Sequence, residues 1–325
     1  MTKRINARIA GWGKYLPSRV VSNDDIARRA STSSHWIVER TGIYERRFAE
    51  GDETNAYMAS RAAMEALSRS HIDIEAIDRI IVATSTPDSL FPSTAAVVQH
   101  MISAHRAHAF DISAACSGFI YALAIAKESI ESGSCKCVLV IGVETYSRVL
   151  DFEDRDTAVL FGDGAGAVVL EAGKGEGSID ATTLHTEGDG GNSLYLPCNG
   201  TIRMRGRDVF RFAIRALCDG LQSVADAVGC SCADFAVVIP HQSNIRIIRS
   251  AAEKLGLPLN TFVINVDRYG NTGAASIPIA LAEAADDCRF EHGQRIALVG
   301  FGAGLTWGAA TLTWPYEQGR INGYR

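Results

Sequence analysis

The chain has 325 residues, is 47% apolar and carries a net charge of −5 at pH 7. The length exceeds the usual domain of ~100–200 residues and the apolar share can bury a core, which excludes disorder and favours two domains or one duplicated unit. The mild acidity gives no global case for nucleic-acid binding, and the longest apolar runs, such as 137–143, fall far short of the ~20 residues that span a membrane.

Asn6 and Arg8 interrupt the N-terminal run, so no secretory signal is expected; the protein is expected to be soluble and cytoplasmic, with its eight cysteines reduced. Cys135/Cys137 and Cys230/Cys232 are C-x-C pairs rather than the C-x-x-C of zinc sites, so no metal is expected. Residues 79–84 read as a buried strand and 109–112 as another. The small-residue turn Ser113-Ala114-Ala115-Cys116-Ser117-Gly118 follows, then a helix over 119–130 and strands over 138–143 and 165–170. The second half repeats this order, with strands at 235–239 and 262–265, a turn at Gly270-Asn271-Thr272-Gly273-Ala274, a helix over 276–285 and strands at 295–299 and 309–313. Such runs imply mixed α/β layers around buried sheets. The expected division lies near residue 172, giving halves 1–172 and 173–325 packed tightly together.

Cys116 stands between a strand and a helix start, where the dipole and free N–H groups favour a thiolate. From its location alone, a structural cysteine and a nucleophile both remain open. His241 in Pro240-His241-Gln242-Ser243-Asn244 and Asn271 in Gly270-Asn271-Thr272 each follow a strand of the second half. Ligand sites of α/β sheets gather at such strand ends, so Cys116, His241 and Asn271 can share one crevice. Phe161-Gly162-Asp163-Gly164-Ala165-Gly166 precedes a strand and so is not a dinucleotide fingerprint, whereas Phe301-Gly302-Ala303-Gly304 follows one and offers N–H groups to an oxyanion.

These motifs, with Thr306-Trp307-Gly308 and the stretch from Thr32 to Ile43, together resemble the β-ketoacyl-acyl carrier protein synthase III family of thiolase-superfamily condensing enzymes, from about Ile9 to Thr313. The resemblance implies a thiolase-like α/β fold: two similar halves in an α-β-α-β-α stack, the first carrying the cysteine and the second the histidine and asparagine. It implies that Cys116 takes an acyl group from an acyl-CoA primer, with the N–H groups of Cys116 and Ala303 as oxyanion hole. It further implies that His241 and Asn271 support decarboxylative condensation with malonyl-acyl carrier protein. No cofactor is implied. Trp36 and Arg155 are expected to sandwich the CoA adenine, Arg40 to approach its phosphates, Asn244 to contact the pantetheine arm and Phe210 to line the tunnel. Phe91 is expected to reach the partner's acyl pocket across a homodimer interface, and Tyr146 to stand near the end of the acyl pocket and favour a short primer.

Arg246, Arg249 and Lys254, with Arg203, Arg205, Arg207, Arg211 and Arg215, form a locally basic set expected to dock the acidic carrier protein. Asp156, Arg207 and Tyr146 depart from the family's common Gly, Asn and Leu. The tail from Trp314 to Arg325 reads as an extension. A specialised polyketide- or quinolone-like pathway, a non-decarboxylating acyltransferase and a silent partner subunit are the competing readings, the last disfavoured by the intact Cys116, His241 and Asn271.

Overall fold

The computed structural model describes residues 5–173 and 177–316. Its first sheet holds β1 (Asn6–Tyr15), β2 (Arg79–Ala83), β3 (His108–Ile112), β4 (Cys137–Thr145) and β5 (Asp163–Gly173), in the order β1-β5-β4-β2-β3. The second holds β6 (Ile179–Thr186), β7 (Val237–Pro240), β8 (Arg295–Gly302) and β9 (Thr306–Thr313), in the order β7-β8-β9-β6. The two share one plan. From β1 or from β6 inward, two antiparallel pairings are followed by a parallel one. Every residue of β4 is buried, which is why it reads as an unbroken apolar run rather than an alternating one.

The expected strand at 262–265 is a correction. Only one parallel bridge forms, Val238 to Phe262, with Val263 N donating to Val238 O at 2.9 Å. Side chains then capture the backbone: the amides of Asn265 and Val266 donate to Gln242 Oε1 at 3.0 and 3.2 Å, and Asn265 Nδ2 donates to Glu283 at 2.9 Å. The ladder gives way to the short helix Val266–Tyr269, which leads into the Asn271 loop.

The helices relevant to the site are α1 (Ser34–Thr41), α2 (Asn55–Ser70), α3 (Thr94–Met101), α4 (Gly118–Glu131), α5 (Gly206–Ala227), α6 (Ile245–Leu255) and α7 (Ser276–Asp286). α4 and α7 lie between the sheets, in one core with Ile81 and Val140 of the first and Leu298 and Ala310 of the second. α2 and α3 cover the outer face of the first sheet, and α5 and α6 that of the second, completing five layers. A helix covered on all sides must be apolar all round. α4 meets this over most of its length, with Phe119, Ile120, Leu123 and Ile130 fully buried, each contributing about 1.5–3 kcal/mol, and carries charge only toward its C-terminal end at Lys127, Glu128 and Glu131.

The tail starts packed on the body of the fold: Trp314 is buried against Trp12 and Phe290, with ring centroids 5.1 and 4.7 Å away, and Tyr316 Oη donates to Ile9 O at 2.9 Å. Residues 317–325 lie outside the described residues. Among the described residues, no helix is long and apolar enough to cross a membrane.

Candidate active site

Cys116 sits in a single tight turn, Ala115–Ser117, that carries the chain from β3 into α4. Ala115 adopts a left-handed φ of 47° to make it. Ser117 Oγ donates to Ala114 O at 2.7 Å and lies 2.8 Å from Thr306 Oγ1, tying the turn to β9. β8 passes so close that a Cβ on Gly302 would stand 2.7 Å from the Cys116 nitrogen, so only glycine fits there. The expectation of a resting thiolate is corrected: burial, reinforced by the Glu144 charge, pushes the thiol up to about 12, outweighing the amides at the helix start.

His241 follows β7 and is anchored by its own N–H, which donates to Val299 O at 2.8 Å. Its Nδ1 is 2.7 Å from Ser276 Oγ at the start of α7, and that oxygen accepts the Gln242 N–H at 3.4 Å. The Ser276 hydroxyl has a proton to give as well as lone pairs to accept with, and giving that proton to Nδ1 selects the tautomer in which Nε2 is the N–H donor. Burial holds the imidazole down at about 3, so it is neutral at physiological pH.

Asn271 is pinned through its backbone, its N–H donating to Leu160 O at 2.8 Å and its carbonyl accepting from Gly162 N at 2.9 Å. Its Oδ1 accepts from Gly273 N at 2.8 Å, so the amide presents its NH2 outward. Gly273, at φ +55°, packs where a Cβ would come 2.5 Å from the Tyr146 ring.

Cys116, His241 and Asn271 line one cleft, together with Phe210, Asn244 and Gly302. A second cavity also reaches Cys116 and is lined by Tyr146, Phe161, Leu194 and Ala303. The sulfur therefore stands between two chambers. Tyr146 stands beside the sulfur. Its hydroxyl lies 3.8 Å from Cys116 Sγ and donates to Glu144 Oε1 at 3.4 Å, while its ring packs on Phe161 at 4.9 Å. Glu144, at the end of β4, is fully buried and accepts from Thr86 Oγ1 at 2.6 Å and Ser85 N at 3.0 Å. Burial pushes its carboxyl up to about 7, against the pull of these donors. Neither Glu144 nor Ser276 was legible as a site residue.

Phe210 also lines an outer cleft with Arg40, Arg207, Arg211 and Arg246, so the approach to Cys116 starts at a cationic rim. The Arg155 guanidinium lies 5.4 Å from the Trp36 ring centroid and that of Arg40 6.0 Å. A base stacked between Arg155 and Trp36 needs about 7 Å, two van der Waals contacts, so this gap must open to admit one. Asn244 caps α6, accepting from Arg246 N at 2.9 Å, and ties it to α1 by donating to Arg40 O at 3.0 Å. Arg246 stacks on Phe210 at 5.5 Å.

Arg249 and Lys254 are exposed on α6. Arg203, Arg211 and Arg215 are paired with Asp151, Asp208 and Glu187, which thins the basic set; among the described residues no ion pair holds Arg207, Arg246, Arg249 or Lys254. Asp156 lines a separate surface cleft with Asp154, Arg203 and Arg205. Phe91 is 86% exposed and lines neither chamber around Cys116.

Two family models match the chain, described as 3-oxoacyl-[acyl-carrier-protein (ACP)] synthase III over residues 110–188 and as its C-terminal region over residues 225–314. The β-ketoacyl-[acyl-carrier-protein] synthase III of Bacillus pumilus is 48% identical over 311 residues, which are 95% of this chain and 99% of that one. The chain belongs to the β-ketoacyl-acyl carrier protein synthase III family. The crystal structure of the synthase III from Aquifex aeolicus VF5 superposes with a TM-score of 0.93 at 48% identity, covering 95% of this chain and all of that one. The priming β-ketosynthase of the R1128 polyketide pathway follows at a TM-score of 0.91 and 33% identity, covering 97% and 98%. The fold is the thiolase-like α/β fold of synthase III enzymes, and the chain is an acyltransferase of fatty-acid biosynthesis.

Proposed function

We propose that Cys116 is acylated by an acyl-CoA primer, and that the acyl-enzyme then condenses with malonyl-acyl carrier protein as CO2 leaves. In the first half-reaction the sulfur attacks the thioester carbonyl, the N–H groups of Cys116 and Ala303 hold the oxyanion, and CoA departs. In the second, loss of CO2 puts negative charge on the malonyl thioester oxygen. Neutral His241, through Nε2–H, and Asn271, through its NH2, stabilise that enolate, whose carbon attacks the acyl-cysteine. The observation that carries this reading is that the sulfur, the neutral imidazole and the outward amide line one cleft.

The acyl chain is assigned to the Tyr146 chamber and the pantetheine arm to the Phe210–Asn244 cleft. Trp36, Arg155 and Arg40 hold the nucleotide end of CoA, while Arg246, Arg249 and Lys254 dock the carrier protein. Phe91 is assigned to a homodimer interface and the enzyme to the cytoplasm. The Tyr146 ring beside the sulfur narrows its chamber, so an acetyl or propionyl primer is expected, and Tyr146→Ala extends the accepted length. One methylene is worth only about 1–3 kcal/mol of discrimination.

The test is peptide mass after incubation with acetyl- to decanoyl-CoA. One acyl group on Cys116, from short primers, is the expected result. Labelling of another cysteine, or of none by any acyl-CoA, contradicts it. A preference for octanoyl or longer primers would refute the short-primer assignment and favour a specialised pathway.

A further inference from the structure

Cys116, Tyr146 and Glu144 form a continuous buried chain from the sulfur to a carboxylate: 3.8 Å from Sγ to the phenol oxygen, then 3.4 Å from that oxygen to Glu144 Oε1. All three side chains are 4% exposed or less. The neutral imidazole of His241 already has its Nδ1 engaged by Ser276. The chemistry assigned to His241 needs it as a donor, which leaves the thiol proton without an acceptor.

We propose that Glu144 is that acceptor and Tyr146 the relay: the thiol proton passes to the Tyr146 oxygen as Tyr146 gives its own proton to Glu144. This rests on Cys116 being the nucleophile.

The transfer balances without any further reactant. The S–H bond breaks as the sulfur–acyl carbon bond forms, the phenol is regenerated with a new proton, and Glu144 becomes neutral. When the tetrahedral intermediate collapses and the CoA thiolate leaves, the proton on Glu144 is available to it through Tyr146. Acyl-CoA and Cys116 thiol become acyl-Cys116 and CoA thiol, and the relay is reset.

The surroundings suit this role. The Tyr146 hydroxyl is held well above its ordinary value by burial, so it conducts a proton without resting as phenolate. The hydroxyls of Thr84 and Thr86 and the amides of Ser85 and Ala274 face the Glu144 carboxylate, and the groups acting on Cys116 are Glu144 and Tyr146. An ionised Glu144 opposes a thiolate nearby; once Glu144 has taken the proton, that opposition is gone. Above about pH 7 the empty site therefore rests as thiol and carboxylate, and the charge moves to sulfur as substrate arrives.

The experiment follows alkylation of Cys116 by iodoacetamide against pH, read by peptide mass so that exposed Cys198 and Cys288 do not interfere. The wild type, Tyr146→Phe and Glu144→Gln are compared. Tyr146→Phe keeps the ring and its packing but cuts the chain. The wild-type rate should level off above about pH 7, where Glu144 is ionised and able to accept. Both variants should lose this plateau and react about tenfold more slowly at pH 7, equal to one unit of thiol pKa. Self-acylation by acetyl-CoA should fall in parallel. Tyr146→Phe matching the wild-type profile overturns the relay. Glu144→Gln reacting faster does so too, because it means the carboxylate only repels the thiolate. If wild-type Cys116 is alkylated but acetyl-CoA acylates another cysteine, the nucleophile assignment itself fails.

Discussion

Around Cys116 the polar atoms are committed to particular partners: His241 to Ser276, Asn271 to Gly273, Glu144 to Thr86 and Ser85. At the outer mouth the arrangement is the opposite. Arg207, Arg246, Arg249 and Lys254 are exposed, and no ion pair among the described residues fixes them. The inner site is a set of positions, each held by short contacts in a water-poor interior where one donor matters greatly. The rim is a field, summed over several exposed charges and screened by salt. Single substitutions should therefore be severe inside and mild outside.

The most severe is Cys116→Ala, which should leave no acyl-enzyme detectable by mass with any primer. Asn271→Ala comes next. Losing one of two enolate donors should slow CO2 release from malonyl-acyl carrier protein by roughly 10²–10³ while self-acylation persists. Equal loss of both steps would make Asn271 structural and blur the contrast between the two regions.

His241 supplies a stability test of the same interior. Its folded pKa of about 3 lies far below its ordinary ~6.5, so between these values the unfolded chain binds the extra proton. Stability contributed by keeping this imidazole neutral is fully present above about pH 6.5 and is lost as pH falls, by about 1.4 kcal/mol per unit. Urea unfolding of wild type and His241→Gln between pH 4 and 7 should show the slope reduced in the variant.

Ser276→Ala removes the group that sets the His241 tautomer and should slow condensation by up to about tenfold, one hydrogen bond's worth. The smallest effect is expected at the rim. Arg246→Glu should raise KM for the carrier-protein substrate about fivefold at low salt, with little change for acyl-CoA. High salt should erase the difference. A rim substitution as damaging as Asn271→Ala would break the comparison.

Much of the fold was legible because buried strands and helices leave unbroken apolar runs. The shared order of the two sheets shows in the sequence as a repeat. The strand expected at 262–265 failed because periodicity cannot see Gln242, whose carbonyl takes the Asn265 and Val266 amides out of the ladder. β1 and β6 carry no comparable signal; in β6 only Ile179 is buried, and the half-buried Ala181, Thr182 and Thr183 are followed by exposed Leu184, His185 and Thr186. In the site, Cys116 and His241 stood out because each follows a strand in a small-residue or polar turn, and Asn271 because of its Gly270-Asn271-Thr272 turn, although the strand expected before it is the short helix Val266–Tyr269. Glu144 and Ser276 did not, since their meaning comes only from what lies across the fold. A carboxylate closing the apolar run of β4 was the one available sign of Glu144. The state of the Cys116 thiol was misread because the helix start is local and visible, whereas the burial that overrides it is tertiary.

The central claim is that acylation at Cys116 and decarboxylation at His241 and Asn271 are separate tasks within one cleft. It is tested most directly by measuring acyl-enzyme mass and CO2 release side by side in Cys116→Ala and Asn271→Ala. The account predicts a crossed result: Cys116→Ala forms no acyl-enzyme yet releases CO2 from malonyl-acyl carrier protein, and Asn271→Ala acylates yet releases little. If both variants lose both signals, or if Asn271→Ala loses acylation instead, the division of labour is contradicted.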